Sequence, residues 1–289
     1  MTKTKLNKPA IEDSGETRFG RFNFLWDEHL FSGKGFWVKV RNSLLCPTWL
    51  WDAVVTDADA DAVLAGQLSA KTGAGAFVQK ILRRILWFWP RLVEARIWVD
   101  EKSDPSPFRE LTADSRLLVS EAIGRISSAN DAILDIGCNC GRHLAALADV
   151  GCTNLYGVDV NGAALDVMMQ WFPQLSSVCS AEEDLMQRYL SKAEDQKFDM
   201  IITRGATVEL IHPSYPLVRE LARVTKSYVI LLIQENNQGY SRFWTYEFAR
   251  HGFQLTYLVR PISQMLDVGD AKEFGKNASL LVYRRALTI

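Results

Sequence analysis

The sequence predicts an α/β fold: a seven-stranded, mostly parallel sheet with helices on both faces, preceded by a mainly helical N-terminal extension. Three observations carry this. Downstream of Asp104-Pro105-Ser106-Pro107, short apolar runs alternate with stretches of helical period, the signature of successive strand–helix crossovers. The last two apolar runs lie too close for a crossover helix and are expected to pair antiparallel. Upstream of the same break, Trp26, Trp37, Trp49, Trp51, Trp87, Trp89 and Trp98 crowd a stretch with no clean repeating pattern.

The elements follow in order. A helix starts near Thr112 and places Leu118, Ala122 and Ile126 on one face. The first strand is Ala132 to Ile136. Gly141 opens a helix bearing Leu144, Leu147 and Ala148, and Gly151 stops it, a usual residue just past a helix end. A second strand runs from about Asn154 to Asp159. The next helix carries Leu165, Met168, Met169 and Phe172, and Pro173 closes it. A weak third strand is expected near Ser177 to Cys179, a fourth at Phe198 to Thr203, and a β-rich fifth at Tyr228 to Ile233. A helix near Arg242 to His251 ends at Gly252. Phe253 to Val259 and Ser279 to Tyr283 form the final pair.

At 289 residues the chain has room for one large domain with a sizeable extension. The expected division is a polar, disordered tail over 1–20, a Trp-rich extension or cap over 21–108, and an α/β domain over 109–289. A formal net charge of −1 argues against nucleic acid as partner, because neutralising phosphates needs a basic surplus. Five scattered cysteines (Cys46, Cys138, Cys140, Cys152 and Cys179) show neither CxxC pairing nor zinc-finger spacing. No metal site is expected, and a reduced, cytoplasmic setting fits. The opening residues lack the apolar core of a signal peptide, and no run approaches the roughly 20 apolar residues that span a bilayer.

The most informative stretch is Asp135-Ile136-Gly137-Cys138-Asn139-Cys140-Gly141. Gly137 and Gly141 let the backbone turn sharply and come close to a ligand. The free N–H groups of the following helix face the same spot. Ligands of open parallel sheets bind beyond the carboxyl ends of the strands, where the topology reverses. Asp159 ends the second strand, at the distance downstream from which a carboxylate accepts both hydroxyls of a ribose. A nicotinamide-binding G-x-G-x-x-G pattern would need glycine at 139 and 142, where Asn139 and Arg142 stand.

Ile133 to Gly141 resembles motif I of class I S-adenosylmethionine-dependent methyltransferases, commonly hydrophobic-Leu-Asp-hydrophobic-Gly-Cys-Gly-x-Gly. Gly157-Val158-Asp159 resembles the acidic end of that family's second strand, and Phe198 to Ile202 its fourth strand. The likeness spans roughly Leu111 to Arg285 and implies a Rossmann-like fold. It also implies S-adenosyl-L-methionine as cofactor. On that resemblance Asp135, Gly137, Cys138, Asn139 and Gly141 hold the methionine part, Asp159 with Val160 the ribose, and Ser180, Ala181 and Glu182 the adenine. The family often has Asp where Ser180 stands. Asn139 replaces the usual middle glycine, a tolerable change because Asn also enters left-handed conformations. Cys138 and Cys140 read as small loop-lining residues.

Methyl transfer from a sulfonium is an in-line displacement in which the protein mainly supplies orientation, with a base where the acceptor must lose a proton. Thr203 to Pro213 follows the fourth strand and resembles the Thr-Lys-Gly-Val-Leu-Ile-His-Ile-Asn-Pro stretch of sugar and polysaccharide-pathway methyltransferases, once one extra residue is placed. Thr203 and Arg204 then flank the cofactor, Glu209 takes the family's His position, and His212 falls at its Asn. Either could be the base. His212 has the more suitable unperturbed pKa, whereas Glu209 needs burial to raise its own. Each also has a structural reading, His212 at a helix start and Glu209 paired with Arg204. His143 either points at the cofactor or covers its helix surface. Glu235, Asn236 and Asn237 follow the fifth strand and would bind hydroxyls or form a turn.

The expected activity is methylation of a small-molecule acceptor, with a sugar-derived hydroxyl favoured. Lipid-linked or protein acceptors, or a cofactor-binding scaffold without catalysis, are the alternatives. Phe77 to Trp98 interleaves Lys80, Arg83 and Arg84 with apolar residues. This suits packing on the main domain, or peripheral membrane contact through a basic amphipathic helix. The Trp-rich stretch from Phe22 to Trp51 suits a cap over the cleft, a substrate pocket or a homodimer contact.

Overall fold

The structure is a computed structural model and describes residues 104–209, 211, 215–234, 244–266 and 278–286. The tail and nearly all of the Trp-rich extension, including Phe77 to Trp98, lie outside the described residues. So do His212 and the segment Glu235 to Asn237.

The elements, in chain order, are α1 (Ala113–Ile123), β1 (Ile133–Ile136), α2 (Arg142–Asp149), β2 (Leu155–Asp159), α3 (Gly162–Trp171) and β3 (Cys179–Glu183). They continue with α4 (Met186–Lys192), β4 (Phe198–Arg204), the one-turn α5 (Ala206–Glu209), α6 (Leu217–Val224), β5 (Thr225–Gln234), α7 (Trp244–Ala249), β6 (Phe253–Val259) and β7 (Ala278–Arg285). The strands make one seven-stranded sheet in the order β3-β2-β1-β4-β5-β7-β6. Strands β1 to β5 run parallel, and β7 enters antiparallel between β5 and β6. The chain therefore winds outward from β1 in one direction and from β4 in the other. The switch point lies between these two, and their carboxyl ends open the crevice where ligands of such sheets sit.

The central strands are apolar on both sides because helices cover both faces. Leu134, Ile136, Ile201, Val229, Leu231 and Tyr283 pack in one buried layer. Ile133, Met200, Ile202, Ile230 and Val282 pack in the other. Asp135 on β1 and Thr203 on β4 are the buried polar residues of those two strands, and both stand near carboxyl ends. At the far edge Phe248 stacks on Tyr283, with ring centroids 4.2 Å apart, and meets Phe253 edge-on.

Three local expectations need correction. The third strand lies at Cys179–Glu183, not 177–179, and Pro173–Ser177 forms a 3₁₀ turn. It is an edge strand with exposed Ser180, Glu182 and Glu183, so no apolar run marks it. Helix α1 ends at Ile123, which leaves Ile126 beyond it. On α3 the buried stripe narrows to Ala164 and Met168, while Met169 is exposed. None of the described helices is long and apolar enough to cross a membrane.

Candidate active site

Between β1 and α2 the chain passes through Gly137, Cys138, Asn139, Cys140 and Gly141. Three of these have left-handed backbones: Gly137 at φ 75°, Asn139 at φ 48° and Gly141 at φ 83°. Asn139 supports its own conformation, since its Oδ1 accepts the Cys140 N–H at 2.8 Å. The Gly137 and Cys138 N–H groups donate to the Val158 carbonyl at 2.8 and 3.2 Å, tying the loop to β2. Gly137 is required twice over. Besides its positive φ, a Cβ there would lie 2.1 Å from the Thr207 hydroxyl oxygen on α5. The segment after β4 thus presses directly on the loop after β1.

Two carboxylates flank the loop. Asp159 Oδ2 accepts the Asn139 N–H, and Oδ1 accepts the Asn161 N–H, each at 2.8 Å. Burial pushes the Asp159 carboxyl above the ordinary aspartate value, against the pull of these N–H donors. Asp135 is fully buried, and its Oδ2 lies 3.0 Å from His143 Nδ1. His143 Nε2 lies 3.1 Å from Ser115 Oγ on α1. Asp135 Oδ1 is buried and has no hydrogen-bond partner among the described residues. The Thr203 hydroxyl donates to the Ile136 carbonyl at 2.8 Å and locks the end of β4 to the end of β1.

A cluster of charge closes the α1 side. Arg204 pairs with Asp114 at 2.5 Å. Burial alone would raise the Asp114 carboxyl, yet Arg204, Thr112 and Arg142 hold it below its ordinary value. Arg142 is itself buried, donates to the Glu110 carbonyl at 2.8 Å and lies over the Phe108 ring.

This loop, on the carboxyl edge of this strand order, accompanies a match of residues 133–228 to a family model described as a methyltransferase domain. Residues 133–228 therefore carry a methyltransferase domain. The cofactor that the motif resemblance implies, S-adenosyl-L-methionine, would when bound supply a methyl group already activated on a sulfonium. No curated protein matches the sequence. Among solved structures it is similar to a SAM-dependent methyltransferase from Aquifex aeolicus, at 19% identity and TM-score 0.45, over 63% of this chain and 99% of that one. A second likeness is to an S-adenosylmethionine-dependent methyltransferase from Mesorhizobium loti, at 13% identity and TM-score 0.47, over 60% and 98% of the two chains. A third is to a TehB-like SAM-dependent methyltransferase from Corynebacterium glutamicum, at 17% identity and TM-score 0.42, over 61% and 89%.

In this methyltransferase the loop residues Asp135, Gly137, Cys138, Asn139 and Gly141, with Asp159, Thr203 and Arg204, gather at the carboxyl ends of β1, β2 and β4. Val160 follows Asp159 and is half-buried. Cys138 and Cys140 are buried, and the Cys140 thiol donates to the Phe108 carbonyl at 3.2 Å. Glu209 is buried at the end of α5. Ser180, Ala181 and Glu182 lie within β3. Ser180 is level with Tyr156, Ala181 with Gly157 and Glu182 with Val158, while the residue level with Asp159 is Glu183.

Several residues at the site carry no loop motif. His143 is buried against Asp135, so it neither covers the helix surface nor stands apart from the site. Ser115 holds the position one turn before Leu118 on the buried face of α1, and a polar residue at the head of an apolar stripe is the signal that could have found it. Thr207 and Glu183 have no such signal. The Glu183 carboxylate occupies the space where a Cβ on Gly162 would sit, which brings the end of β3 against the start of α3.

Proposed function

We propose that this methyltransferase acts on a small-molecule acceptor, and that the acceptor atom is a hydroxyl of a sugar or sugar derivative. Glu209 carries the reading. It is a buried carboxylate two residues beyond Thr207, whose hydroxyl fills the space above Gly137. A base so close to the donor loop suits a neutral hydroxyl, which must lose a proton as its oxygen attacks. His212 is the second candidate for that role. Thr203 and Arg204 would line the cofactor side of the same cleft, and Arg204 would favour a polar acceptor.

In this reading the 135–141 loop receives the methionine part of the cofactor, and Asp159 with Val160 the ribose. Ser180, Ala181 and Glu182 receive the adenine, to which the register adds Glu183. The donor set suits the ligand. The Asp159 oxygens accept the Asn139 and Asn161 N–H groups and retain lone pairs for a diol. The left-handed loop leaves no bulky side chain between backbone and ligand. Residues 109–289 form the catalytic domain, and the Trp-rich 21–108 segment acts as the cap that selects the acceptor.

A labelled-methyl transfer screen over free sugars, nucleotide sugars, lipid-linked saccharides and proteins tests the acceptor class. Label is expected in a saccharide hydroxyl. Glu209→Gln should lower turnover by about 10²- to 10⁴-fold while leaving cofactor affinity in place. Label only in protein, or only in a lipid without a sugar, overturns the proposal.

A further inference from the structure

Ser115, His143 and Asp135 come from three separate elements (α1, α2 and β1) and are respectively 0%, 4% and 0% exposed. A carboxylate only accepts, so the 3.0 Å contact places the proton on His143 Nδ1. In that tautomer Nε2 accepts from the Ser115 hydroxyl, 3.1 Å away. Ser115 Oγ accepts in turn from the Thr112 hydroxyl at 3.0 Å. The hydrogens therefore run one way, from the start of α1 to the end of β1. A hydrogen-bond partner on each ring nitrogen fixes both the tautomer and the ring orientation of an imidazole.

Satisfied buried networks rigidify, while a buried acceptor without a donor is costly. This chain of bonds is satisfied except at Asp135 Oδ1. One carboxylate oxygen is anchored and the other is left to accept. Asp135 stands two residues before Gly137, at the head of the loop, so the missing donor is expected from what the loop binds. The chemistry that matches a buried anionic acceptor is a cationic N–H group, and the amino-acid portion of the cofactor carries one.

We infer that His143, held by Ser115, is a positioning residue that orients the Asp135 carboxylate to accept the ammonium group of the cofactor's amino-acid portion. The inference rests on the cofactor assignment above and deepens it. His143 acts only through Asp135. Its contribution belongs to the ammonium end of the ligand, not to the nucleoside.

The test compares binding of S-adenosylhomocysteine with that of 5′-methylthioadenosine, which lacks the amino-acid portion, by calorimetry on the full chain. The side-chain amide nitrogen of Asn can stand in for Nδ1, and that of Gln for Nε2. His143→Gln and His143→Ala should each weaken S-adenosylhomocysteine by about tenfold or more, the size of one charge-assisted hydrogen bond. Both should leave methylthioadenosine within about twofold, and His143→Asn should recover most of the lost affinity. Ser115→Ala should produce a smaller loss with the same selectivity, and it keeps the test alive if the His143 variants do not fold. Equal losses for both ligands, or equal behaviour of the Asn and Gln variants, would overturn the inference and leave His143 as packing. Failure of the unsubstituted protein to bind S-adenosylhomocysteine would instead overturn the cofactor reading on which the inference stands.

Discussion

Gly137→Ala probes whether the donor loop and the segment after β4 share a wall. An alanine at φ 75° pays about 1–2 kcal/mol for a left-handed backbone. Its Cβ would also stand 2.1 Å from Thr207 Oγ1 and 3.1 Å from Thr207 Cβ. Relieving such a contact costs about 1–3 kcal/mol in a packed interior. The single substitution should therefore destabilise the protein by about 2–5 kcal/mol. Thr207→Ala removes the hydroxyl but not the Cβ, so the double variant keeps the backbone cost and sheds most of the clash. A coupling of about 1–2 kcal/mol is expected between the two sites. Urea denaturation of the four proteins of the cycle, followed by circular dichroism, measures it. Strict additivity, or a Gly137→Ala cost below about 1 kcal/mol, would refute the close approach of Thr207.

Two carboxylates give opposite pH signatures. The folded pKa of Asp114 is lowered, so its contribution to stability is present above the unfolded value of 3.8 and is lost as pH falls through the lower folded value. Asp114→Ala should remove that acid-side slope and cost about 3 kcal/mol at neutral pH, because it breaks a largely buried ion pair with Arg204; thermal melts across pH would show both. The folded pKa of Asp159 is raised, so its contribution is most favourable below 3.8 and is lost as pH rises through the higher folded value. Asp159→Asn should flatten that limb of the melting profile in the cofactor-free protein. It should also weaken cofactor binding by about tenfold or more, and unchanged affinity would contradict the ribose assignment.

The sheet is legible where burial is symmetric. Central strands covered on both faces become uninterrupted apolar runs, so Ile133–Ile136 and Phe198–Arg204 announce themselves. Strand β3 escapes because only Cys179 and Ala181 face the packed side of an edge strand. Its register brings Glu182 and Glu183 level with Val158 and Asp159 at the end of β2. The antiparallel pairing of the last two strands is readable in the sequence, whereas the insertion of β7 between β5 and β6 has no local signal there.

The donor loop is legible for a different reason: its requirements are on the backbone. A chain that must take φ 75°, 48° and 83° within five residues selects Gly, Asn and Gly, and that selection survives in one sequence. Side-chain partnerships leave no such trace. His143 and Ser115 are 28 positions apart and meet only because α1 and α2 cover the same face of β1. Thr207 reaches Gly137 across the switch point by the same logic. The acceptor side is therefore hard to read as an isolated stretch. Glu209 sits on the single turn that begins at Ala206, and the middle of that turn is fixed by the donor loop itself. Any substitution that tunes this segment for a different acceptor must keep the hydroxyl of Thr207 off the Gly137 backbone. Donor geometry thus limits how far Glu209 can be moved, and acceptor specificity has more freedom to vary in segments that do not touch the loop.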